Sequence, residues 1–227
     1  YLPNQTYIGN LTPEALAVME FSNQLEIDIA RKMYSRFPRL GDKVDGLPDW
    51  VPVREVDMGT DNALFKNDAR GWPLYQGSMV THHDYRAKGY LSGHGRNVTW
   101  EPLAFGSPVK LIRPQWRVLP EQIPNKIQER VRRYRIGFCD VARADDQRSL
   151  MAALIPPSTV CGDKVPTIEF EPTDPAVMML WLSVANALAM DFVVRMKVSL
   201  KMSMSLIATL PFPRRVSAGD ATGRACA

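Results

Sequence analysis

Between residues 41 and 118 every short apolar run is cut by a Gly, Pro, Asn or Asp. That punctuation forbids long helices there and predicts short strands joined by ordered loops. The flanks read differently. Thr12-Pro13-Glu14 is a helix start, because Thr caps, Pro fits the first turn and Glu complements the positive helix end. Leu16, Met19, Phe21, Leu25, Ile29, Met33 and Phe37 then recur at steps of mostly three or four residues, predicting a helix over about 12–37 with one apolar face. Thr173-Asp174-Pro175 is a second cap-plus-Pro signal and opens an apolar segment over 176–194. Its length nearly spans a bilayer, but Ser183, Asn186 and Asp191 interrupt it, which favours a core helix over about 175–195 and no membrane.

The intervening stretch mixes both patterns. Ile123, Ile127 and Val131 beside Lys126, Arg130, Arg132 and Arg133 predict a short helix over 121–133 whose basic flank could lie along a phosphate backbone. Tyr134, Ile136 and Phe138 alternate with Arg135 and Gly137, predicting a strand that runs on to Ala142, and a second strand covers 150–155. The turn 143–148 between them is polar. Asp191 and Arg195 stand four apart in the order that forms a helix pair, while Arg195, Lys197 and Lys201 follow where the helix ends and stay open to an anionic partner. The fold class expected is α+β (mixed α/β): a central, partly antiparallel sheet with long flanking N- and C-terminal helices. It is read as a single domain over 1–213 with a mixed strand and loop region over 41–170, and the polar tail 214–227 is expected to be disordered.

At 227 residues the chain can bury a substantial core, and 45% hydrophobic with 23% charged residues is a globular composition. A net charge of +4 and a pI near 9.0 suit a polyanionic partner without proving one. Cys139, Cys161 and Cys226 are odd in number and lack C-x-x-C spacing, which points away from a disulfide framework or zinc site and towards a reducing cytoplasm. The start at Tyr1 shows no secretory pattern and no initiating Met, as expected of a piece of a larger polypeptide.

His82-His83-Asp84 is the one histidine-carboxylate cluster, and with His94 the only other histidine a metal centre has few ligands to draw on. Solvated loop polarity is the plain alternative, and donation to phosphates or base edges beside Arg86 and Lys88 lies between the two. Trp50, Trp72, Trp100 and Trp116 each stand near a Pro and read as rings that pin loops to a core, with stacking on bases as the alternative. No phosphate-cradling G-x-x-x-x-G-K-[ST], H-E-x-x-H or G-x-S-x-G pattern occurs, so no catalytic and no metal-binding residue is assigned.

Several stretches resemble one family. Arg54 to Phe65, Gly71-Trp-Pro-Leu-Tyr-Gln-Gly-Ser-Met-Val80, Arg113-Pro-Gln-Trp-Arg-Val118, 135–148 with Leu154-Ile-Pro-Pro157, and Asn186 to Val198 with Leu210-Pro-Phe-Pro213 follow its order and spacing. The family is the C-terminal target-recognition region of Eco57I-like and phage-defence (BREX PglX-like, type IIG) adenine-specific restriction-modification methyltransferases. The chain departs from it at Ser78, where the family often has Lys, and at Thr81, where it often has His. The resemblance implies a TaqI-like specificity domain that binds duplex DNA. The adenine-N6 methyltransferase domain, with its S-adenosylmethionine, would lie upstream in the same polypeptide, with or without a nuclease; no cofactor is expected in this chain, which lacks the Asn-Pro-Pro-Tyr or Asp-Pro-Pro-Tyr stretch. On that reading His82, His83, Arg86 and Lys88 face bases, and Arg113, Arg143, Arg148 and Lys164 contact the backbone. Two other classes compete: a scaffold module docking through the apolar 176–194 helix, and, more remotely, a hydrolase using His82, His83 and Asp84.

Overall fold

The computed structural model describes residues 19, 21–45, 48–107, 109–198 and 200–213. The helix start expected at Thr12 and the tail 214–227 lie outside the described residues. Among those described, the chain is mixed α+β, with five α-helices and several antiparallel pairings.

The main sheet has four strands in the order β1 (Asp49–Val53), β10 (Thr167–Glu171), β7 (Arg135–Phe138) and β8 (Ala152–Ile155), all antiparallel. A second sheet joins β2 (Phe65–Lys66), β6 (Arg117–Val118), β3 (Trp72–Tyr75) and β9 (Val160–Cys161), with β3 and β9 parallel. A separate hairpin pairs β4 (Lys88–Ser92) with β5 (Thr99–Pro102). The strands of 41–118 are as short as its Gly and Pro content predicts.

The N-terminal helix is shorter than expected. Helix α1 spans Gln24–Arg36, because Asn23 caps it by accepting from the Glu26 N–H at 3.1 Å while the Glu26 carboxylate reaches back to the Ser22 N–H at 2.6 Å. Such reciprocal capping fixes a start. Helix α2 (Asn125–Val131) also falls short of the predicted 121–133. Its basic flank turns inward: Arg130 is buried and bonds Glu169, Thr167 and the Val51 carbonyl, while Arg133 bonds the same Glu169. A phosphate track along this helix keeps Lys126 and Arg132, both exposed, but not Arg130.

The segment expected as one helix over 175–195 is two, α3 (Pro175–Ala185) and α4 (Leu188–Arg195), bent by 64°. Asn186 makes the corner. Its side chain donates to the Ala152 carbonyl at 2.8 Å and to the Leu182 carbonyl at 3.1 Å, and accepts from the Ala152 N–H at 3.2 Å. Asp191 accepts from the Ser149 and Leu150 N–H groups, so the polar interruptions of this apolar segment hold the approach to β8. The pair read between Asp191 and Arg195 forms at 2.9 Å. Arg195 further donates to the carbonyls of Ala144, Asp146 and Gln147, which engages it in fastening the 143–148 turn. No single described helix is long and apolar enough to cross a membrane.

Trp181, Leu182, Met190 and Val193 pack with Ile136, Phe138, Ile168 and Phe170 of the main sheet, and α5 (Met204–Ala208) closes the same core through Ile207. The four other Trp rings also pack inward, although Trp50, Trp72 and Trp100 stand on strands and only Trp116 on a loop: Trp50 packs against this core, Trp72 and Trp116 against the core of the second sheet, and Trp100 against the cluster around Tyr75. Between the sheets Arg135, fully buried, bonds Glu55, which also accepts from the Cys161 N–H at 2.8 Å and the Thr167 hydroxyl at 3.0 Å.

Candidate functional site

Residues 77–92 run from the second sheet into the hairpin, and the Gly and Asp content of this stretch dictates turns. Gly77–Met79 forms one 3₁₀ turn. Thr81 to Asp84 form a β-turn, in which the Asp84 N–H donates to the Thr81 carbonyl at 3.2 Å and the Thr81 N–H to the Asp84 carbonyl at 2.9 Å. His83 has φ 59°, a left-handed conformation that costs an ordinary side chain about 1–2 kcal/mol. What holds it there is its own N–H, which donates to the Ala152 carbonyl at 2.9 Å on β8. A histidine where glycine would fit more easily is a strained position.

The His-His-Asp cluster is divided. Asp84 turns inward and forms an ion pair with Lys110, both buried, and accepts from the Arg86 N–H at 2.8 Å. His82 and His83 are exposed, with His82 Nδ1 at 3.3 Å from the Thr81 hydroxyl and His83 Nδ1 at 3.5 Å from the Asn186 amide nitrogen. No group of three or more His, Cys, Asp or Glu poised for a metal occurs among the described residues.

The remaining expected site residues scatter into distinct environments. Arg86 donates to the Lys110 carbonyl and lies 5.0 Å over the Tyr85 ring, so its guanidinium ties the turn to the 103–112 loop. Arg113 crosses Gly89 to pair with Glu101 of β5; a Cβ at Gly89 would stand 2.9 Å from Arg113 Nε, so the glycine makes room for it. Arg148 pairs with Asp191 at 3.8 Å. Arg143 is exposed on the 143–148 turn, where its N–H donates to Asp146 at 2.8 Å. Lys88 is exposed on β4, and neither Lys88 nor Arg143 forms an ion pair among the described residues.

Lys88 and Lys164 are brought together. Both line a cleft of about 430 Å³, walled mainly by apolar side chains including Met58, Val80, Trp100 and Met151. Lys164 pairs with Asp163 at 2.8 Å and stays partly exposed; that hydrogen bond raises its pKa above the ordinary lysine value and keeps it cationic. Cys139, on the same cleft, has its thiol pKa pushed up by burial, which keeps it protonated and unreactive. Sequence reasoning missed this cleft because its walls come from segments around 58, 76–88, 100, 139–151 and 162–164. It also missed Lys110 as the partner of Asp84, for which no local spacing gave a signal.

No protein-family model matches the chain, and no curated protein matches it either.

Proposed function

We propose that this chain binds duplex DNA and gives sequence preference to an adenine-N6 methyltransferase. The catalytic domain and its S-adenosylmethionine would lie upstream in the same cytoplasmic polypeptide, as in a restriction-modification system for phage defence. In fold terms the reading is a TaqI-like specificity domain. The observation that carries it is the exposure of His82, His83 and Lys88 on a turn and strand held firm by the Asp84–Lys110 pair and the His83–Ala152 hydrogen bond. A reading loop must hold its donors in place before the duplex arrives, and a cation lacking a protein counter-ion gains most from a phosphate. Arg143 and Lys164 supply further exposed positive charge, while Arg113 exchanges Glu101 for phosphate at small cost because their pair is half exposed.

Selection of bound duplexes from a random pool, at low and then moderate salt, tests this. The expected result is enrichment of one short motif, weakened by substituting His82, His83 or Lys88 and little changed by Arg148→Ala. Binding without enrichment at either salt overturns the specificity claim, and no binding with the upstream domain restored overturns DNA recognition altogether.

The docking reading draws on a different surface from the one the sequence suggests. The apolar residues of 176–194 mostly face the chain's own core, whereas Phe105, Val109 and Leu111 are among the most exposed large hydrophobics, all in the loop after β5. That loop is the surface on which an upstream domain would sit. An apolar contact there would resist salt, and phosphate contacts would not.

A further inference from the structure

We propose that the cleft bearing Lys88 and Lys164 is a binding site for a small amphipathic anion, a flat ring carrying a phosphate or carboxylate. The proposal does not rest on DNA recognition. The cleft's volume, about 430 Å³, is within the range of small-molecule sites, and such sites pair an apolar wall with a few polar groups that fix orientation. Met58, Val80, Trp100 and Met151 supply the wall, and two thioethers beside an indole adapt readily to a planar ring.

The charge around the cleft selects the sign. Lys88 has no carboxylate partner among the described residues, and Lys164 pairs with Asp163. Behind the wall, between the cleft residues Cys139 and Val141, lies Asp140, fully buried, with Lys201 at 3.3 Å and Arg54 at 3.8 Å from its carboxylate. Arg54 and Lys201 thus answer Asp140 behind the wall, and Asp163, with Asp57 farther off, answers Lys164, which leaves Lys88 as the cleft cation without a carboxylate partner among the described residues. An anionic head is favoured there, and a cationic or zwitterionic one is opposed. A ring seated against the apolar residues leaves its substituent to Lys88 and Lys164 of the same lining, each of which can donate a charge-assisted hydrogen bond to it.

Calorimetric titration of the purified chain with adenosine monophosphate, adenosine and naphthoate tests this. The expected result is saturable binding of an anionic probe at one site per chain and at least about tenfold weaker binding of uncharged adenosine. Lys88→Ala and Lys164→Ala each weaken the tighter anion by about tenfold, the loss of one charge-assisted bond. Ser78→Trp fills the cleft from an exposed position and abolishes binding without lowering the denaturation midpoint. Adenosine binding as tightly as the anions, binding that survives Ser78→Trp, or no binding of any probe up to about 1 mM would overturn the proposal. Each of these outcomes is read without DNA and leaves the recognition reading to its own test.

Discussion

Against the main sheet Arg130 of α2 and Arg135 of β7 are buried and meet Glu169 and Glu55, whereas on the hairpin Lys88 is exposed and meets no carboxylate among the described residues. The two regions use cations for opposite ends. In the first, a charge removed from water must carry its counter-ion with it, so one pair ties α2 to β10 and the other ties β7 to the segment after β1. In the second, the charge keeps its water and any anion that comes must be external. The count of basic residues, and even their clustering on a helix flank, therefore says little about an anionic partner until the partners inside the chain are known. The prediction of a phosphate track on α2 failed on this point at Arg130.

The comparison breaks most sharply at Arg135. Replacing Arg135 with Ala leaves Glu55 buried and unpaired and is expected to cost about 3–5 kcal/mol by chemical denaturation, whereas replacing both partners with apolar residues should recover much of it. Next in size is Asn186→Ala, which removes the partners of the Ala152 N–H and is expected to cost about 1–3 kcal/mol; a negligible loss would show that the α3–α4 corner does not depend on that docking.

Lys197 lies between the two regimes. Its amine lies 4.8 Å over the Tyr34 ring and donates to the Thr209 hydroxyl, with Arg39 nearby, and burial lowers its pKa to about 7. Above that value the folded state has shed a proton that the unfolded chain keeps up to the ordinary lysine value, so stability should rise with pH from about 7 to about 9.5. The buried Tyr34 hydroxyl has its pKa raised and adds an opposite dependence only at higher pH. Lys197→Met should flatten the rise, measured as denaturation midpoint against pH. The smallest effect is on the hairpin: Lys88→Ala is expected to change stability by less than about 0.5 kcal/mol and yet reduce the salt slope of DNA binding by about 1. A large stability loss at Lys88 would erase the contrast.

What the sequence made legible was local. Asp174 followed by Pro175 announced the start of α3, and Asp174 indeed accepts from the N–H groups of Ala176 and Val177. Alternation located β7, although its paired span is only Arg135–Phe138. What stayed hidden depends on distant partners. Nothing around Asn186 stops a helix, since Ala187 and Leu188 are helix-compatible, and the bend becomes necessary only where the side chain meets Ala152. Arg130 and Arg132 are alike in sequence; one is captured by Glu169 and the other left in water. In the candidate site, the exposure of His82, His83 and Lys88 followed from a polar turn, but the separation of Asp84 from the histidines required Lys110, which belongs to another loop.

The corner at Asn186 has one more consequence. β8 is an outer strand of the main sheet, and a bare outer strand invites a foreign strand to pair with it. Here Asn186 takes the Ala152 N–H and carbonyl, and His83 takes the same carbonyl, so the positions where an intruding chain would begin its ladder are occupied by the protein's own groups. At the opposite margin β1 carries Pro52, which has no N–H to offer a neighbouring strand. At each margin one position is thus withheld from a foreign strand, and pairing with another chain would first have to displace the protein's own groups at Ala152.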